Sequence, residues 1–208
     1  VLKAGVNTSI SKLVHNNTAA LITGEGTTLT ITGDSSSYGG SFGGTVTVDY
    51  TGGGTFTLGN SDKSAALTPA ASADATLKIS SGTLSLFSGN VNWSQKLVMG
   101  DGTTLTVQDG PAVSGYYNYD ATSINGDGFT FSGAATFGTG VNLTTQYGKN
   151  IKFTGVLTAA SGFSISGTDS EYTYYTLTGT ENQIGGTIAI TRNSTSLGIN
   201  ASGSLGTA

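Results

Sequence analysis

Apolar and polar residues alternate along most of this chain, and the alternating runs start at glycines. The clearest runs are Gly26-Thr-Thr-Leu-Thr-Ile-Thr-Gly33, Gly44-Thr-Val-Thr-Val-Asp-Tyr50, Gly54-Thr-Phe-Thr-Leu-Gly59, Gly102-Thr-Thr-Leu-Thr-Val-Gln108 and Gly186-Thr-Ile-Ala-Ile190. Looser copies begin at Gly82, Gly128 and Gly162. A period of two places successive side chains on opposite faces, so each run predicts a short strand with one face to bury. One such unit cannot bury that face alone, but stacked copies can.

The pattern yields about fifteen strands and little helix, a density that suits a sandwich, a barrel or a β-solenoid. Gly26 and Gly54, and likewise Gly102 and Gly128, stand one solenoid coil apart if a coil takes roughly 20–30 residues. The expected fold is therefore an all-β solenoid. Its seven to nine coils, about 4.8 Å apart, make a rod about 35–45 Å long. A Greek-key or jelly-roll sandwich is the alternative. Stacking should bury Leu29, Ile31, Val46, Val48, Phe56, Leu58, Leu105 and Val107 in one core.

Residues 1–20 lack this rhythm. Val6, Ile10, Leu13 and Val14 fit a short helix capped by Thr8 or Ser9, yet Val6, Thr8 and Ile10 also read as an alternating strand. The segment is expected to be an N-terminal cap or a strand donated to a neighbouring subunit, with 21–208 forming a single solenoid domain. Burying an apolar side chain of this size is worth about 1.5–3 kcal/mol, so those four residues are the candidate assembly residues.

Composition narrows the functional field. Charged residues make up 10% of the 208 positions, the net charge is −4, and a single arginine, Arg192, accompanies scattered lysines. With no basic patch to neutralise phosphates, nucleic-acid binding is not expected. No apolar run reaches the length of a membrane-spanning helix. Cysteine is absent, and a surface made of Thr, Ser, Asn and Gly suits an exported β-protein of a prokaryotic cell exterior.

Two segments resemble a known family. Leu29-Thr-Ile-Thr-Gly-Asp34, then Tyr38-Gly-Gly40, then Gly54-Thr-Phe-Thr-Leu-Gly59 is similar to the passenger-associated repeats of autotransporter-type bacterial surface proteins. Leu177-Thr-Gly-Thr-Glu-Asn-Gln-Ile-Gly-Gly-Thr-Ile-Ala-Ile190 resembles the same repeat. The resemblance covers about a third of the chain and implies a right-handed parallel β-helix on the cell exterior. The outer-membrane barrel that ends such proteins is not part of this sequence.

Candidate chemistry is sparse. The twelve carboxylates contain no Asp-Asp pair, and Glu25, Asp34, Asp101, Asp109 and Asp127 adjoin glycine, where an acidic residue is ordinary turn material. A glycosidase needs converging carboxylates and a lyase needs basic groups, so no catalytic residue is assigned. His15, the only histidine, reads as a surface or cap residue. Calcium is the one ligand the sequence suggests, through oxygen donors at Asp101, Asn125 and Asp127, although plain turns explain the same residues.

Tyr116, Tyr117 and Tyr119 form a candidate binding loop able to stack on sugars or anchor a protein. Tyr172 to Leu177 reads instead as a half-buried strand. Sequons at Asn7, Asn16, Asn92, Asn142, Asn193 and Asn200 are possible glycosylation sites if the source glycosylates its surface proteins. The expected function is a non-enzymatic structural or adhesive rod on the cell surface, with copies of itself, other surface proteins or glycans as partners. A filament subunit joined by donation of the N-terminal strand is the alternative, and a carbohydrate-binding or carbohydrate-active β-helix module ranks third.

Overall fold

The computed structural model of this chain describes residues 1–15, 19–59, 74–87, 91–108, 128–145, 150–167, 173–193 and 195–199. Every regular element among them is a β-strand. The first coil holds β1 (Leu2–Ala4), β2 (Thr8–Ile10) and β3 (Val14–His15). The second holds β4 (Leu21–Gly24), β5 (Thr28–Ile31) and β6 (Ser35–Tyr38), and the third β7 (Ser41–Gly44), β8 (Thr47–Tyr50) and β9 (Thr55–Leu58). The fourth has two described strands, β10 (Thr76–Ile79) and β11 (Thr83–Phe87). The fifth has β12 (Val91–Trp93), β13 (Lys96–Met99) and β14 (Thr104–Gln108), and the sixth β15 (Gly128–Phe131), β16 (Ala135–Phe137) and β17 (Asn142–Thr145). The seventh has β18 (Asn150–Phe153), β19 (Leu157–Ala159) and β20 (Gly162–Gly167). The eighth has β21 (Thr173–Leu177), β22 (Gln183–Ile184) and β23 (Thr187–Ile190), and β24 (Thr195–Ile199) follows.

Each strand pairs in parallel with its counterpart one coil away, which makes the fold a parallel β-solenoid and not a sandwich. Wall 2 stacks β2, β5, β8, β10, β13, β16, β19 and β22; wall 3 stacks β3, β6, β9, β11, β14, β17, β20 and β23. Among the described residues wall 1 stacks β1, β4 and β7, and then β12, β15, β18, β21 and β24. Eight rungs about 4.8 Å apart make a stack roughly 34 Å long.

The alternation in the sequence becomes the division between core and surface. Leu29, Val48, Leu77, Leu97, Ala135 and Leu157 lie above one another inside wall 2, all buried. Phe56, Leu84, Leu105, Leu143 and Ile165 do the same inside wall 3. All eight residues expected to share a core are buried in a single cluster. Rings also run along the axis: Tyr38 stacks on Phe42, Phe42 meets Trp93 edge-on, and Phe129, Phe131, Phe153, Phe137 and Phe163 continue the series.

The glycines that open the phrases sit at corners. Gly82, Gly102, Gly140, Gly162 and Gly186 all have positive φ and all lie where wall 2 turns into wall 3. This is the left-handed backbone that a side chain disfavours. The phrase spacing does not measure the coil, however. Gly26 leads into wall 2 and Gly54 into wall 3, while Gly102 leads into wall 3 and Gly128 into wall 1. In-register partners stand 19 apart between Leu29 and Val48 and 25 apart between Thr158 and Gln183, and the other ordinary coils fall between these. Two coils are longer: Thr47 pairs with Thr76 across 60–73, and Leu97 with Ala135 across 109–127.

The N-terminal segment forms no helix among its described residues. β1, β2 and β3 make the first coil and pair with β4, β5 and β6 of the same chain. The helical spacing of Val6, Ile10, Leu13 and Val14 does not mark one face, because Ile10 and Leu13 turn to the core while Val6 and Val14 stay exposed.

Candidate functional site

Some candidate residues hold the coils of the solenoid together, some stand exposed on its surface, and others lie outside the described set. Asp101 belongs to the first group. It stands exposed at the corner between walls 2 and 3 of the fifth coil, and its Oδ1 accepts the Thr139 N–H at 2.8 Å. The Thr139 carbonyl accepts the Gly102 N–H at 2.8 Å, so the two bonds clamp the corners of adjacent coils. Among the described residues no group of three or more His, Asp or Glu is placed to hold a metal. Asn125 and Asp127, the other proposed calcium donors, lie outside the described residues, as do Tyr116, Tyr117 and Tyr119.

Other carboxylates do similar work. Asp49, half-buried on the outer face of wall 2, takes the Lys78 ammonium at 3.0 Å on one oxygen and the Ser80 hydroxyl at 2.7 Å on the other. Glu25 Oε2 accepts the Thr45 hydroxyl at 3.3 Å. Each contact joins one coil to the next across about twenty to thirty residues of sequence. Opposite charges directly across a ladder are a favourable cross-strand pair.

The sequons are placed unevenly. Asn7 is exposed and its Oδ1 accepts the Thr28 N–H at 2.8 Å, bracing the first coil against the second. Asn142 is half-buried, with its Oδ1 accepting the Ser164 hydroxyl at 2.8 Å. Asn92, on the outer face of wall 1, and Asn193, in the turn before β24, are exposed. Asn16 and Asn200 lie outside the described residues.

Of the four assembly candidates, Ile10 and Leu13 are half-buried and pack on the core, whereas Val6 and Val14 remain 70% and 60% exposed. His15 is exposed on β3, its ring 6.4 Å from that of Tyr38. Tyr172 lies outside the described residues, and over Thr173–Leu177 the half-buried strand reading holds: Tyr175 points inward and is buried, while Tyr174 is half-exposed. The Tyr175 hydroxyl donates to carbonyls of Ser166 at 2.6 Å and Leu143 at 3.1 Å, and burial pushes its pKa up to about 12. Burial does the same to Tyr38, whose hydroxyl donates to the Ser41 carbonyl.

Sequence reasoning passed over two buried amides. Asn182 accepts the Leu157 N–H at 2.8 Å and donates to the Gly179 carbonyl at 3.0 Å, replacing ladder bonds at a corner. Gln95 donates from Nε2 to the Phe42 carbonyl at 2.6 Å. Their signal is an amide next to a run that must be buried, a position where polar side chains survive only when paired. Among the described residues no helix is long and apolar enough to cross a membrane. Comparison with known family models, curated proteins and solved structures finds no match to the chain.

Proposed function

We propose that this chain is part of a non-enzymatic structural rod on the exterior of a cell, which holds its walls and loops out to other molecules. The observation that carries this reading is the use made of the acidic groups. Asp49, Asp101 and Glu25 lie at separate corners and wall faces, each bonded to the neighbouring coil instead of converging on a shared space. The outer face of wall 3 supports it too. Its rows carry Thr55, Thr57, Thr83, Thr104, Thr106, Thr144 and Ser166, neutral hydroxyls suited to a solvated surface of low charge. The resemblance to autotransporter passenger repeats agrees with an exported, surface-held rod. Glycans, other surface proteins or further copies are the partners such a rod would meet, with Tyr116, Tyr117 and Tyr119 as the contact residues of the 109–127 connection.

A filament subunit is the second reading, favoured by one feature. Among the described residues, the large apolar side chains left exposed are Val1, Leu2, Val6, Val14, Ile190 and Ile199, all on the end coils. Unpaired parallel edges with apolar residues are templates for further stacking, whether by coils of the same polypeptide or by a neighbouring subunit. Residues 2–15 pair with their own second coil, so stacking suits this geometry better than strand donation.

Electron microscopy of native material separates the readings: isolated short rods support the first, and filaments with a regular axial repeat the second. On uronic-acid polymers such as pectin and alginate the protein should give no turnover. Cleavage abolished by an Asp→Asn change would overturn both readings in favour of an enzyme.

A further inference from the structure

The outer face of wall 3 is a two-dimensional lattice of hydroxyls. From β6 to β20 each strand turns two side chains outward, and the parallel ladder holds them in two unbroken rows. One row runs through Ser37, Thr57, Ser85, Thr106, Thr144 and Ser166. The other lies two residues earlier in each strand, from Ser35 to Ser164. Eleven of these twelve positions are Ser or Thr, and the twelfth is Asn142. Neighbours stand about 4.8 Å apart along a row, and the rows are separated by two residues of extended chain, about 6.7 Å.

No charge enters this lattice. The other walls carry charge on their outer faces, with Asp49, Lys78 and Lys96 on wall 2 and Lys152 on wall 1. All three walls need the same strand propensity, so propensity does not explain why one of them is neutral throughout. Ser85 adds a second observation. It is 1% exposed, and its hydroxyl has no hydrogen-bond partner. Leu84 and Leu86 on either side of it belong to the core, so Ser85 is turned to the outer face between Thr57 and Thr106. A shielded hydroxyl without a protein partner calls for one held in place, and an ordered water supplies it.

We propose that this face binds ice. Water in ice is a neutral, fixed lattice of donors and acceptors, with repeats close to the two spacings of the wall. A hydroxyl both donates and accepts, so each Ser or Thr can stand where a lattice water would. A charged side chain would instead gather water in its own geometry, which accounts for a wall free of charge. Each contact is weak, but the ladder fixes all of them in advance, so little ordering is left to be done on binding. The binding belongs to the wall alone and holds for an isolated rod and for a filament.

The test is partition of the intact chain into a slowly growing ice front. The wild-type protein should be enriched in the ice, while an unrelated soluble protein of similar size stays in the liquid. Thr106→Lys, in the middle of the face, should lose the enrichment. Thr136→Lys, on the exposed outer face of wall 2, should keep it. Circular dichroism checks that each variant is folded, and Thr57→Lys replaces Thr106→Lys if the latter is not. Exclusion of the wild-type protein from ice would overturn the proposal, including the case in which it adheres to crystalline cellulose instead. Enrichment kept by folded Thr106→Lys, or lost equally by Thr136→Lys, would overturn the assignment to wall 3.

Discussion

At the scale of single residues the corners decide most. Three glycines form a graded test of this. Gly5 has ordinary φ and open space where a Cβ would stand, so Gly5→Ala should be nearly neutral. Gly26 has φ of 61° and the same open space, so Gly26→Ala should cost about 1–2 kcal/mol, from left-handed backbone strain alone. At Gly82, with φ of 77°, a Cβ would also run into the carbonyl of Gly54, so Gly82→Ala should cost more than Gly26→Ala. Urea midpoints of the three variants give the order, and equal values would contradict it. Tyr175 offers a second residue-scale test. Its folded pKa is about 12 against an ordinary value near 10, so as pH rises the unfolded chain loses this proton first. Its contribution is therefore complete below about pH 10 and lost between about 10 and 12. Tyr175→Phe should flatten that decline in a stability–pH profile.

The strand is the scale at which the sequence was most legible. Alternation in Thr55–Leu58 or Thr104–Gln108 states which side chains face inward, because a pleated strand leaves no other choice. Leu84, sandwiched between Phe56 and Leu105 in the ladder, should therefore cost about 2–5 kcal/mol when cut to Ala. Thr104→Ala on the outer face should stay within about 0.5 kcal/mol. Calorimetry of both variants checks the contrast. What alternation cannot state is which wall a strand joins. Gly26 and Gly54 open similar phrases on different walls, since a corner glycine is needed wherever the chain turns sharply. The first coil was obscured for a related reason: its strands of two or three residues are too short to show a period. The braces at Asp101 and Asn7 were also hidden, because each bonds to a residue a full coil or more away and nothing local marks it.

At the scale of the whole molecule, walls 2 and 3 running through all eight coils and an aromatic series along the axis make a stack whose end coils expose apolar side chains and whose wall 3 carries neutral hydroxyls on its outer face. Such a body suits holding and presenting, and among the described residues Asp49, Asp101 and Glu25 each join one coil to the next. The central claim is that this rod serves outside the cell. Immunogold labelling of intact, unpermeabilised source cells, with antibody raised against the folded chain, tests it most directly. Gold at the outer surface, removed by mild protease treatment of intact cells, is the predicted result; labelling that appears only after permeabilisation would contradict it.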